Sequence, residues 1–330
     1  MADLQVWFLD VGHGDCAYIE LPNGARMMID CGCGDDHWPS RLLKHYEVTK
    51  TKKPVPIPND KRPYGLDELV ISHPHGDHFA DIEAIHDEIG FFLFAGGYGD
   101  FIDKIPYEKM DWRKRQESAS KKFVEIVKKY TGQYDREKDR VVSANPPCIV
   151  KQRRFIQHQD DMDLNELSYF VSFEIGGQKV LFTGDMPATG VKRILESPAA
   201  EEFKTFVKGT TILKVPHHGR EDGCSQEMFD VFGGQPVLCI VSDQVLNEQN
   251  EGTSRVDWYT ERTQGVQFNY GNNDLRVRKV LTTRDDGDIY LKIPENGQFY
   301  ASTQALKETR TTIMSKSLSD SRHNDLIRAG

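Results

Sequence analysis

The sequence predicts an α/β fold, and three observations carry that prediction. The 330 residues hold 38% apolar and 28% charged side chains, the balance of a globular chain that can bury a sizeable core without cross-links. Short apolar runs bounded by Gly, Pro, Asn and Asp alternate with segments of helical spacing. Three of those runs deliver His or Asp at their carboxyl ends, in HPHGDH, LFTGD and LKVPHHG.

Taken in order, Leu4, Val6 and Phe8 alternate with Gln5, Trp7 and Leu9, and a GHGD turn leads into Cys16 to Leu21, a hairpin that continues through the Pro22-Asn23-Gly24 turn into a strand from Arg26 to Asp30. Ser40 caps an expected helix from Arg41 to Tyr46. Residues 50–63, with four prolines and five basic residues, read as an exposed loop. Leu66 to Ser72 reads as a buried strand, 82–89 as a short helix and Phe91 to Ala95 as a strand. From Lys104 to Lys129 nine Lys/Arg face four Asp/Glu, with Phe123, Ile126, Val127 and Tyr130 at helical spacing, the mark of a basic helical insertion over about 100–145. A hairpin follows, Leu167 to Ile175 and Lys179 to Thr183 around Gly176-Gly177. Then come helix Thr189 to Glu196, strand Thr211 to Val215, helix Ser225 to Phe232, strand Val237 to Ser242 and a closing strand, Asp288 to Ile293. The expected organisation is one domain over 1–299 and a polar tail over 300–330.

The formal charge, 42 basic against 51 acidic residues, is −9, which argues against a chain that coats nucleic acid through a global positive field. MADLQVWFLDVGHGD lacks the basic start of a secretory signal, no apolar run is long enough for a membrane span, and the six scattered cysteines include no C-x-x-C. A cytoplasmic location without membrane contact is the expectation.

His73-Pro74-His75-Gly76-Asp77-His78 is the strongest signal, placing three imidazoles and a carboxylate where a buried strand runs into a loop. Such a set suits zinc, iron or manganese. Asp185 and the pair His217-His218 end two further strands, and three such ends converging make a two-metal site in which one carboxylate bridges the cations. Cys31-x-Cys33 is a weak metal motif on its own.

These pieces resemble the metallo-β-lactamase superfamily, and within it the soluble domain of ComEC/Rec2 competence proteins. FLDVGHGD (8–15), IDCG (29–32), HPHGDH (73–78), the Asn165-to-Ser168 segment, LFTGD (181–185), LKVPHHG (213–219) and TRDDGDIYL (283–291) stand in the family's order. The resemblance implies an αββα sandwich with two divalent metals at one edge, Zn2+ or Mn2+, with Mg2+ also credible. It would give His73 and His75 to one metal, Asp77 and His78 to the other, and Asp185 to both. His218 matches the final histidine better than His217, with the choice left open, and Asp30 would support the site from behind. Many members supply a third histidine where the hairpin register places Asn165, and an amide oxygen favours harder ions.

His13 stands where the ComEC-like pattern has glutamine, as an outer donor near the metals, while Asp15 is expected to anchor its turn through backbone amides. Lys214 and Arg220 flank the double histidine as candidate substrate contacts. Lys121, Lys122, Lys128 and Lys129, interleaved with Tyr107, Trp112, Phe123 and Tyr130, could track a polynucleotide, as could the basic run 50–62. The expected activity is a phosphodiesterase or nuclease acting on nucleic acid or a nucleotide, with Asp77 orienting the attacking water and His217 a candidate acid for the leaving group. The competing readings are carbonyl hydrolysis (lactone, thioester or β-lactam) and a non-catalytic metal-binding module.

Overall fold

The computed structural model describes residues 3–34, 37–45, 64–96, 98–99, 101–110, 117–130, 147–244, 251–269, 275–303 and 327–329. Its strands are β1 (Leu4–Phe8), β2 (Ala17–Glu20), β3 (Arg26–Ile29), β4 (Leu66–Val70), β5 (Phe91–Ala95), β6 (Ile149–Arg154), β7 (Tyr169–Ile175), β8 (Gln178–Phe182), β9 (Ile212–Lys214), β10 (Leu238–Val241), β11 (Val266–Asn269), β12 (Leu275–Arg278), β13 (Val280–Thr282), β14 (Ile289–Ile293), β15 (Phe299–Thr303) and β16 (Ile327–Ala329). Among the described residues they form an eight-stranded sheet ordered β16-β15-β14-β1-β2-β3-β4-β5, a six-stranded sheet ordered β13-β10-β9-β8-β7-β6, and a β11-β12 ribbon.

The two large sheets face each other across one apolar layer. Val6, Phe8, Ile19, Met27 and Ile29 from the first meet Val171, Phe173, Phe182, Ile212 and Ile240 from the second, and Phe8 stacks on Phe182 with ring centroids 5.4 Å apart. Because successive strand residues point to opposite faces, Trp7 and Leu9 turn outward, into a second apolar layer under helices 39–45, 82–84 and 117–130. Helices 188–195, 200–207, 226–232 and 256–261 cover the other sheet through Val191, Phe203, Phe232 and Tyr259. The result is the expected αββα sandwich, whose strands are apolar on both faces because both are covered.

Two expectations change. The basic helix Glu117–Tyr130 is part of the core: Phe123 stacks on Phe79 at 4.6 Å and Tyr130 packs on Phe91 at 5.1 Å. The strand Phe299–Thr303 crosses the expected boundary after residue 299 and pairs with β14, since Phe299 and Ala301 supply buried side chains to the inter-sheet layer. The basic run 50–62 and Trp112 lie outside the described residues. No described helix is long and apolar enough to cross a membrane.

Candidate metal centre

Strands β3, β4 and β5 run parallel, as do β8, β9 and β10. Their carboxyl ends meet at one rim, the place where α/β sheets present ligand-binding groups. Asp30 follows β3, His73 follows β4 by way of Ile71-Ser72, Asp185 follows β8, and His217-His218 follow β9. Several backbones here are strained. Asp30, His217 and His218 hold φ of 57°, 48° and 51°, a left-handed region costing about 1–3 kcal/mol per residue, of the kind concentrated at functional sites.

Asp185 is the centre of the arrangement. Its Oδ2 lies 3.2 Å from His78 Nε2, 3.4 Å from His218 Nε2, 3.9 Å from His73 Nε2 and 3.9 Å from His217 Nε2. Ser168 Oγ receives the Asp185 backbone N–H at 3.0 Å and fixes the turn. His75 Nδ1 approaches His73 Nε2 at 3.0 Å. Asp77 Oδ2 lies 3.3 Å from His13 Nε2 and 3.5 Å from His218 Nε2, so His13 faces the cluster.

Supporting contacts aim these groups. Asp30 Oδ1 accepts the Ser72 N–H at 2.7 Å, and Oδ2 holds Ser72 Oγ at 2.8 Å and His78 Nδ1 at 2.9 Å. That leaves His78 Nε2 directed at Asp185. His218 Nδ1 donates to the Ser242 carbonyl at 2.9 Å, which fixes the ring and points Nε2 at Asp185 and Asp77, the orientation a metal-ligating histidine needs. His217 instead forms an ion pair with Asp222, Nδ1 lying 2.7 Å from Oδ1, and is 24% exposed.

Burial opposes charge throughout this site, and the neighbours decide which groups carry it. Burial, reinforced by the nearby His78, pushes His73 well below its ordinary range. His78 rises well above despite burial, held by Asp185 and Asp30, and His218 likewise through Asp185 and Asp77. Against the same burial, Asp77 stays well below the carboxylate range through His13 and His218, and Asp185 through His78 and His218.

The residues fit a metal. One ligand atom each from Asp15, His78, Asp185 and His218 lies within 4.8 Å of the others, all four residues being buried. His78 Nε2, Asp185 Oδ1 and His218 Nε2 are buried without hydrogen-bond partners, a costly state that a cation relieves. Of the two adjacent histidines, it is His218 whose ligand atom joins this group. Asn165 is buried on the turn before β7, where Ser168 N–H bonds its carbonyl and the next residue bonds Ser72.

Other sequence candidates lie elsewhere. Lys214 is buried and its ammonium pairs with Asp15 at 2.8 Å, so it is no substrate contact. Asp15 correspondingly is not a turn anchor alone: its carboxylate faces the metal group. A charged residue inside the apolar run Ile212 to Val215 was the available signal, because a buried ammonium requires a partner. Arg220 binds Asp243 at 3.1 Å, a carboxylate shared with Arg284 at 2.9 Å. Lys121 pairs with Glu117, Lys122 with Asp87 and Lys128 with Asp103, while Lys129 lies over the Tyr130 ring. That helix surface is charge-compensated, and Phe123 and Tyr130 face the core instead of stacking bases. Cys31 is buried in the core, where burial pushes its thiol up.

Residues 9–98 match the sequence model of the metallo-beta-lactamase superfamily. No curated protein matches the chain. Among solved structures that match is a Thermotoga maritima protein provisionally described as a metallo-beta-lactamase, at 13% identity over 64% of this chain and 95% of that one, with a TM-score of 0.35. The matched segment builds β2 to β5 and supplies Asp15, Asp30, His73, His75, Asp77 and His78 to the site, and the αββα sandwich around it agrees with the fold that this similarity implies.

Proposed function

We propose that the chain is a dinuclear metal-dependent hydrolase that cleaves phosphodiester bonds, in nucleic acid or in a nucleotide. The observation that carries the metal reading is Asp185 Oδ2, approached by four imidazole nitrogens within 3.9 Å. When bound, a pair of divalent cations supplies a water acidic enough to attack at neutral pH and offsets the charge that grows on the phosphoryl oxygens. His73 and His75 would hold one cation with Asn165 nearby, Asp77, His78 and His218 the other, and Asp185 both. The unpartnered Asn165 oxygen, in place of a third imidazole, favours harder ions and thereby a phosphodiester over a carbonyl substrate.

The chain's own groups complete the chemistry. Asp77, kept ionised by His13 and His218, accepts a hydrogen bond from the attacking water and orients it. His217, its charged form favoured by Asp222 against burial, keeps a proton on Nε2 at the exposed side of the cluster and can pass it to the departing alkoxide.

The test is hydrolysis of bis(p-nitrophenyl) phosphate and of labelled single- and double-stranded DNA and RNA by metal-stripped protein resupplied with Zn2+, Mn2+ or Mg2+. Diester cleavage supported best by Mn2+ is expected. Turnover of a lactone, thioester or β-lactam with silence on every diester would overturn the assignment.

A further inference from the structure

Asp15 and Lys214 form a buried ion pair, 5% and 4% exposed, with the ammonium 2.8 Å from each carboxylate oxygen. The pair joins the two sheets. Asp15 lies in the β1–β2 turn, while Lys214 ends β9 three residues before His217. Its carboxylate is packed against the ligand atoms of His78, Asp185 and His218, within 4.8 Å. A cavity of about 10 Å3, room for a single water, touches both members together with Asp30 and Ser242. Asp15 keeps its charge in spite of burial because Lys214 faces it.

An ammonium so close to the ligand atoms repels an incoming cation, and an adjacent carboxylate attracts one; buried as they are, both effects are screened far less than at the surface. We propose that Asp15 and Lys214 are positioning residues that set the metal affinity of the His78, Asp185 and His218 group. The carboxylate cancels the repulsion of the ammonium, and the ammonium, hydrogen-bonded to Asp15 Oδ2, competes with a cation for that carboxylate. The proposal rests on the metal reading of this cluster.

The test is the Zn2+ affinity of wild type, Asp15→Asn, Lys214→Met and the double variant, by competition with a chromophoric chelator, with folding of each metal-free protein checked by circular dichroism. Asp15→Asn should weaken binding by about 10-fold or more, the scale of groups behind metal ligands. Lys214→Met should tighten it by a similar factor, and the double variant should return within about threefold of wild type. Shifts of opposite sign are what a purely structural pair would not produce. A double variant as weak as Asp15→Asn would make Asp15 a ligand and overturn the proposal, as would single variants shifting in the same direction. Should Lys214→Met fail to fold, the comparison of Asp15→Asn with the double variant decides in the same way. Zinc binding that obeys this cycle without diester turnover refutes the proposed activity alone, whereas diester turnover without the cycle refutes this inference alone.

Discussion

Replacing Gly32 by alanine would push a methyl group into the backbone of the HPHGDH loop. A Cβ at this position lies 1.9 Å from the Asp77 carbonyl oxygen and 2.9 Å from the Asp15 nitrogen, so backbone must retreat by roughly 1.5 Å to restore contact distances near about 3.5 Å. That retreat works against two bonds, Gly32 N–H to the Asp15 carbonyl at 2.9 Å and Asp15 N–H to the Asp77 carbonyl at 3.3 Å. Overpacking plus weakened buried hydrogen bonds costs about 3 kcal/mol, and in a chain of this size that lowers Tm by roughly 4 °C. The chain still folds, but Asp77 and Asp15 move relative to Asp185. A displacement of about 1 Å at a reacting centre costs on the order of a hundredfold in rate. Differential scanning fluorimetry, zinc titration and hydrolysis of bis(p-nitrophenyl) phosphate read the three effects. A Gly32→Ala protein with wild-type Tm and zinc affinity would refute the claim that this close approach holds Asp77 in place.

Asp185→Ala removes the carboxylate that four imidazoles share; bound metal per chain should fall and diester hydrolysis drop by roughly 10³-fold, and near-normal activity at normal metal content would refute the bridging role. The Asp81 carboxyl is pushed up to about 6 by burial, against which the Ser40 N–H at 2.6 Å works. Because this folded-state value exceeds the unfolded one, Asp81 favours the fold most below about pH 4, and that contribution, at most about 3 kcal/mol, is lost as pH rises through 6. Asp81→Asn should therefore gain stability relative to wild type between pH 4.5 and 7.5 in urea titrations, and parallel profiles would refute the assignment. Replacing Lys121, Lys122, Lys128 and Lys129 by Gln should leave polynucleotide affinity within about twofold, since three of them already face carboxylates. A decrease of about 3 in the slope of log affinity against log salt would instead make them phosphate contacts.

The sequence by itself determined the layers and the rim. Apolar runs such as Phe91–Ala95 and Gln178–Phe182 are strands because they are short and bounded by turns, and HPHGDH, Asp185 and His218 were visible because each ends such a run. Less of the periphery was legible. The edge strand Ile149–Arg154 is rich in charge, since its outer face meets Glu174 and Glu202 across the surface. Residues 300–303 read as tail because alternation alone does not reveal which residues find a sheet to join. Only the tertiary structure decided the partners. Asp15 and Lys214 are 199 residues apart and meet because the two sheets pack face to face, whereas Asp30 and Ser72, 42 apart, meet because β3 and β4 lie side by side in one sheet. Composition shows a basic helix at Glu117–Tyr130; packing turns its aromatic side inward and sets acids beside its lysines. Motifs report what a strand end carries, whereas charge compensation depends on which distant strand is brought beside it, a property of packing that spacing along the chain does not encode.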